Sequence, residues 1–403
     1  MENSRSKYLS SLSVSEIFLF LFLIIFPFHK HIAVFALYAL ALSILFTGSF
    51  TLFKQRIKSD KTLFAMAAIY VLYVLRIAVQ GKYSFEIEQK ISLFLFPLIF
   101  LYATTDWSKI YKKVFFVYIT SCVLSILFCY AVGLYRYNAT GDSSFLFYYK
   151  LSYFIHAGYY AMYLSLAFAA ALYFLLFEDF SRKIKMLLLF SIMLLAVGIL
   201  FLSAKASLIA IVVIALIFIG IYMKSTGQWK KGFLSLIIVA AIALLAYFSL
   251  PVLKERIDTF ISSLKENPKY SDTTSSRKLI WKRAIDLIAE KPLAGYGGEA
   301  NNALYASYET HAMPYELEKK YNAHNEFLQI ALAIGVVGFI LLLYLLVQGF
   351  YQSWKSRDLI FLAFLLIVSI GFATESMLET EAGIIYFCFF YCFLMLSKIN
   401  TNA

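Results

Sequence analysis

Three side chains stand where they could hold an anion or move a proton. Arg277 opens the run Arg-Lys-Leu-Ile-Trp-Lys-Arg-Ala-Ile-Asp-Leu-Ile-Ala-Glu at 277–290, whose spacing predicts an amphipathic helix. Ser275 and Ser276 offer its N-cap, and Pro292 with Gly295 ends it. At about 100° per residue, Ile280, Trp281, Ala284, Ile285 and Ile288 share one face, while Lys278, Lys282, Asp286 and Glu290 form the opposite stripe. Arg277 falls at the centre of the apolar face, so its guanidinium points where the segment packs down. There it needs an anion, a carboxylate for structure or a phosphate as ligand. Lys278, Lys282 and Arg283 read as solvated.

His324 lies in Tyr321-Asn322-Ala323-His324-Asn325-Glu326-Phe327-Leu328, which runs straight into an apolar segment. With Asn322 as cap, His324 occupies the first turn, where the positive helix end disfavours an imidazolium. A neutral imidazole there is a competent general base for a hydroxyl; a capping or packing histidine fits the same place. Lys205, in Ser203-Ala204-Lys205-Ala206-Ser207, sits in a tight turn between two apolar runs, able to bind phosphate or to snorkel. A Ser203/Lys205 nucleophile–base pair has only its spacing behind it. Arg76, Lys90, His156, Tyr159 and Glu375, the last with Glu379 and Glu381, are further polar candidates on that side, each equally readable as an interfacial or ion-pair residue. His29 and His31 form only an H-x-H at a turn, and no metal role is assigned to them.

The elements that position these residues are apolar. Of the 403 residues 62% are hydrophobic, 18% aromatic and only 15% charged, against about 25% charged in soluble domains. The chain therefore reads as an all-α polytopic membrane protein. Spans are predicted at 14–28, 32–53, 62–80, 87–104, 110–134, 154–177, 186–202, 206–223, 233–251, 326–349, 358–374 and 382–397, about twelve in all. The first runs into the second without an A-x-A-like cleavage site and reads as a retained helix. Gly335 and Gly338 read as close helix packing. The four cysteines, Cys122, Cys129, Cys388 and Cys392, fall in apolar runs without the polar company of a metal site.

Charge sets the orientation. Alternate short loops carry Lys54, Arg56, Lys58 and Lys61; Lys109, Lys112 and Lys113; Arg182, Lys183 and Lys185; Lys224, Lys230 and Lys231; and Lys355 with Arg357. By the positive-inside rule these loops and both termini are cytoplasmic, with Trp107, Trp229 and Trp354 at that edge. The chain divides into membrane helices at 1–251, a long outer loop with amphipathic helices at 252–325, and further helices at 326–403. That loop holds eleven Lys/Arg and ten acids, so nearly all of the chain's +12 belongs to the membrane part. The excess orients helices and does not point to nucleic acid. No G-x-x-x-x-G-K-[ST] loop, H-E-x-x-H or D-x-D occurs.

The sequence resembles the O-antigen ligase/polymerase superfamily. Ser-x-Arg277-x-x-x-Trp281, then Pro292-Leu293-x-Gly295-x-Gly297, then His324-Asn325-x-x-Leu328 opening a late span follow that family's order and spacing. The resemblance implies a metal- and cofactor-independent glycosyltransferase of the bacterial inner membrane, acting at the periplasmic face. Its donor would be an undecaprenyl-diphosphate-linked glycan and, for a ligase, its acceptor lipid A–core. Arg277 matches the arginine taken to hold the donor diphosphate and His324 the proposed base. Lys205 falls where ligases usually have arginine, which keeps the charge but loses bidentate recognition. An Arg-x(15)-Gly pattern of polymerases is absent: sixteen residues beyond Arg277, Arg283 and Arg136 stand Leu293, Glu299 and Ser152. A protein O-oligosaccharyltransferase commonly carries a longer C-terminal region, whereas this sequence stops at Ala403. Ligase is therefore the leading expectation, with polymerase and protein O-oligosaccharyltransferase as alternatives and a lipid-linked sugar transporter as an alternative from another class.

Overall fold

The computed structural model describes residues 12–81, 85–230, 248, 254 and 273–397. Among them every regular element is helical. In chain order these are α1 Val14–Ile25, α2 Lys30–Thr47, α3 Phe50–Ser59, α4 Thr62–Gln80, α5 Glu86–Lys90, α6 Ser92–Tyr102, α7 Trp107–Thr140, α8 Tyr148–Leu151, α9 Ala157–Phe177, α10 Arg182–Leu202 and α11 Lys205–Thr226. After them come α12 Thr273–Glu290, α13 Ala300–Thr310, α14 Pro314–Lys319, α15 Glu326–Ser356, α16 Leu359–Thr374 and α17 Glu381–Leu396. The expected span at 233–251 and the first part of the loop, up to 272, lie outside the described residues apart from Phe248 and Lys254.

Six described helices are long and apolar enough to cross a membrane: α4, α7, α9, α10, α11 and α15. A seventh is reached if α2 and α3 count as one bent span. The expected single span at 32–53 breaks at Gly48, where the two helices meet at 101°. A Cβ on Gly48 would fall on the Tyr102 ring, so the glycine lets α6 approach the corner. The expected span at 87–104 divides at Ile91 into α5 and an α6 of 11 residues. Helices α1, α16 and α17 are apolar but of 12, 16 and 16 residues, below the roughly 20 that span a bilayer at full thickness.

Burial explains α17. Every residue from Ala382 to Met395 is buried, and a helix apolar on all sides belongs at the centre of a bundle. Its rings interlock with neighbours: Tyr386 stacks on Tyr163 at 5.1 Å and Phe389 meets Phe22 at 4.9 Å. By contrast α10 buries only 22% of its apolar window, so most of its surface faces outward, as expected against lipid. Trp107, expected at a membrane edge, is instead buried and stacked on Phe100 at 4.5 Å. Arg56, counted as a loop base, caps the end of α6: its guanidinium donates to the carbonyls of Phe100, Leu101, Ala103 and Thr105.

The helix that begins just after His324 is also broken. In α15 the backbone leaves helical geometry at Ile334 and Gly335, the latter at φ 71° and ψ −170°. The loop after α12 inserts there: Tyr296 N–H donates to Leu332 O and Val336 N–H to Pro292 O, both at 2.8 Å. The break leaves carbonyls and amides unpaired, and the inserted loop satisfies them. A Cβ on Gly335 would fall on the Leu293 carbonyl, and one on Gly295 on the Ala333 carbonyl. The expectation of helix–helix packing at Gly335 and Gly338 is thus corrected. Gly335 accommodates a loop, and the nearest neighbours of Gly338 are the Ile334 and Ile330 side chains of its own helix. Because this φ/ψ region is essentially restricted to glycine, Gly335→Ala is expected to destabilise by at least about 1–3 kcal/mol, read as a lower thermal midpoint in detergent.

Candidate active site

Residues 321–325 form a short segment pinned at both ends. Tyr308 donates to Tyr321 O at 3.0 Å, Trp281 Nε1 to Ala323 O at 3.0 Å, and Ala323 N–H to Gln329 Oε1 at 3.1 Å. The cap differs from expectation. Asn325 accepts from Leu328 N–H at 3.1 Å and begins α15, whereas Asn322 accepts from His324 N–H at 3.0 Å. His324 therefore precedes the helix, in a left-handed conformation at φ 44°. An Asx turn holds it there, a geometry that asparagine two residues earlier supplies. Such a non-glycine φ carries strain, and strain held by this many bonds is a mark of functional backbone.

The orientation of the ring follows. His324 Nδ1 lies 2.9 Å from Glu375 Oε2, and the Tyr321 ring packs on the imidazole in a T-shaped pair with centroids 5.0 Å apart. Glu375 is in the turn between α16 and α17, which is tied to the same segment: Asn325 N–H donates to Ser376 Oγ at 3.3 Å and Asn325 Nδ2 to Ala373 O at 3.4 Å. The other carboxylate oxygen, Oε1, takes Arg277 Nη2 at 2.8 Å. One carboxylate thus joins the two residues singled out first. Burial alone would raise the Glu375 carboxyl, but the hydrogen bond from His324 and the nearby His324, Arg277 and His156 side chains outweigh it and hold it below its ordinary value.

Arg277 comes from α12, which starts earlier than expected, at Thr273, so Ser275 and Ser276 lie inside the helix. Ser276 instead donates to Glu316 Oε1 at 2.7 Å, fastening α12 to α14. Ile280 and Ala284 are buried and Trp281 and Ile288 pack on the core, but Ile285 is 54% exposed, so the apolar face is narrower than the wheel suggests. Lys278 and Lys282 are exposed as expected, while Arg283 is paired with Asp286 at 3.0 Å.

The remaining candidates separate. His156 caps α9, its Nδ1 accepting from Gly158 N–H at 3.3 Å, and Tyr159 is buried a turn later. Lys90 is fully buried, with Nζ 2.7 Å from Glu379 Oε1 and 3.8 Å from Glu86 Oε2. Arg76 donates to Gly295 O at 3.0 Å, holding the inserted loop. Both are therefore engaged inside the protein. Lys205 is half-buried and opens α11. Since α9 begins beside Glu375 and α10 returns, the start of α11 lies at the same end of the bundle as Arg277 and His324. The Ser203/Lys205 pair gains no support, because Ser203 Oγ is turned to the Leu200 and Phe201 carbonyls.

Glu375 is the residue whose part the sequence understated. The signal was there: residues 375–381 hold three acids and no base. The structure gives each acid its own partner, Glu375 to Arg277 and His324, Glu379 to Lys90, and Glu381 to His31 at 3.2 Å.

Residues 190–343 match the family model of the O-antigen ligases. The match bears out the resemblance read from the sequence and contains Lys205, Arg277, the inserted loop and His324; Glu375, His156, Arg76 and Lys90 lie beyond it. It points to a multi-pass membrane glycosyltransferase of the ligase/polymerase type, with a lipid-linked glycan as donor. No curated protein matches the chain.

Proposed function

We propose, starting from that match, that this chain is an O-antigen ligase that moves a glycan from undecaprenyl diphosphate to a sugar hydroxyl of lipid A–core. The observation that carries the reading is the single carboxylate of Glu375 holding a histidine and a guanidinium side by side, at 2.9 and 2.8 Å. For Nδ1 to donate to a carboxylate it must bear the proton, which leaves the lone pair of Nε2 outward as a base. Arg277, with Lys205 from the same end of the bundle, would hold the donor diphosphate.

The reaction is then one displacement. Nε2 of His324 takes the proton of the acceptor hydroxyl as its oxygen attacks the anomeric carbon. The bond from that carbon to the diphosphate oxygen breaks, and undecaprenyl diphosphate leaves with the electron pair, its charge stabilised by the two cations. A single displacement inverts the anomeric configuration. In this reading about twelve spans cross the bacterial inner membrane, both termini are cytoplasmic, and 252–325 with the site is periplasmic.

The test is direct. Purified protein in proteoliposomes is given a defined undecaprenyl-diphosphate glycan and lipid A–core, and the product is read by mass. The expected product is core extended by one intact glycan with inverted linkage. Transfer only onto another lipid-linked glycan would make the chain a polymerase, and transfer to protein alone an oligosaccharyltransferase. Movement of donor across the sealed bilayer without transfer would make it a transporter.

A further inference from the structure

We infer that Glu375 is a built-in placeholder anion: it occupies Arg277 until a lipid diphosphate arrives, and on losing Arg277 it serves His324 alone. The inference rests on the diphosphate role of Arg277 given above. Its basis is the sharing of one carboxylate. Arg277 Nη2 is on Oε1 and His324 Nδ1 on Oε2, at 2.8 and 2.9 Å, with the three side chains 31%, 31% and 24% exposed.

Charge makes the sharing consequential. With a neutral imidazole, Arg277 and Glu375 cancel, so the resting cluster presents no net positive charge to an incoming anion. Among the described residues His156, at the start of α9, and Tyr159, buried one turn on, also act on this carboxylate, Tyr321 packs on His324, and Arg277 is a permanent cation there. A diphosphate that engages Arg277 therefore meets a carboxylate already bound to it. Like charges on one guanidinium repel, so binding favours the arrangement in which Glu375 leaves Arg277 and keeps its other oxygen on Nδ1. That arrangement strengthens the acceptor of the Nδ1 proton and so the basicity of Nε2. The base is thus brought to full strength when donor is present.

The placeholder role separates affinity from turnover, and the two should move in opposite directions. In Glu375→Gln the competing charge is gone but the shape stays. Binding of undecaprenyl diphosphate carrying no sugar, measured with purified protein in detergent, is expected to tighten about 3- to 10-fold, the scale of one partly exposed ion pair. Glycan transfer at saturating donor is expected to fall at least about 10-fold, because the amide is a poorer partner for Nδ1. Glu375→Asp should return both quantities toward the wild type. Thermal midpoints check folding, and Glu375→Ala, which also clears Arg277, serves if the amide variant does not fold.

Unchanged or weaker binding of the lipid diphosphate in the folded variants would overturn the placeholder. Because that measurement needs no turnover, it is separable from the ligase reading. Tighter binding by a protein that transfers no glycan would uphold the placeholder and sink the ligase. Active wild-type protein with unimproved binding in Glu375→Gln would do the reverse.

Discussion

Replacing His324 with alanine is expected to lower glycan transfer by about 10²- to 10⁴-fold, while the affinity for undecaprenyl diphosphate changes by no more than a few-fold. The rate follows from the loss of the nitrogen that takes the acceptor proton in the proposed displacement. The affinity follows from the proposed division of labour, in which Arg277, bound to the other oxygen of Glu375, would hold the diphosphate. Without His324, Glu375 keeps Arg277 as its partner, so any change in affinity should be a weakening. Initial rates in proteoliposomes, with binding measured in parallel, check both. Retained transfer would remove the base assignment, and equal loss of rate and binding would mark His324 as a structural link between the 321–325 segment and the α16–α17 turn. The second outcome has a real physical basis: the ring also packs against Tyr321 and anchors a strained turn at φ 44°. The discriminating quantity is therefore the ratio of the two effects.

Much of this arrangement was legible in the residues. Apolar composition gave helices, and the order Arg277, Pro292-Leu293-x-Gly295-x-Gly297, His324 gave the family to which 190–343 matches. What spacing along one helix cannot give is a partner from another. The wheel put Arg277 on a buried face and asked for an anion; only the fold shows Glu375, 98 residues away, meeting it. The same limit explains the breaks. The stretch 330–347 is apolar throughout, so nothing in hydropathy marks Ile334–Gly335 as the place where a loop enters. The glycines of that loop did carry a signal, because Gly295 and Gly297 take left-handed φ of 62° and 60° against backbone and side chains that leave no room for a Cβ. Asn322 misled for a related reason: as a residue that favours both turns and caps, it served an Asx turn and left the cap to Asn325.

Lys90 offers the largest expected effect on stability. Its ammonium is fully buried, 2.7 Å from Glu379, 3.8 Å from Glu86 and over the Tyr73 ring at 4.7 Å. Removing one member of a buried pair strands the other, so Lys90→Met is expected to destabilise by about 3–5 kcal/mol, seen as a large fall in thermal midpoint in detergent. Two buried carboxyls lose that cation. Burial already pushes Glu86 up to about 7 against the pull of Lys90, and the Glu379 side chain is only 7% exposed. Glu379 also lies on the turn that carries Glu375, so its loss of a partner should reach the site: transfer should fall along with stability. A second change decides whether charge or packing is responsible. Lys90→Met with Glu379→Leu replaces both members of the closer pair by apolar groups of similar size and leaves Glu86, which burial already pushes toward its neutral form; such replacements are often neutral. The double variant is therefore expected to recover most of the lost stability, with a coupling well above the few tenths of a kcal/mol of independent sites. Additive losses would mean that Lys90 acts by filling space beneath Tyr73, and that the α16–α17 turn is held by Glu375 and Glu381 without it.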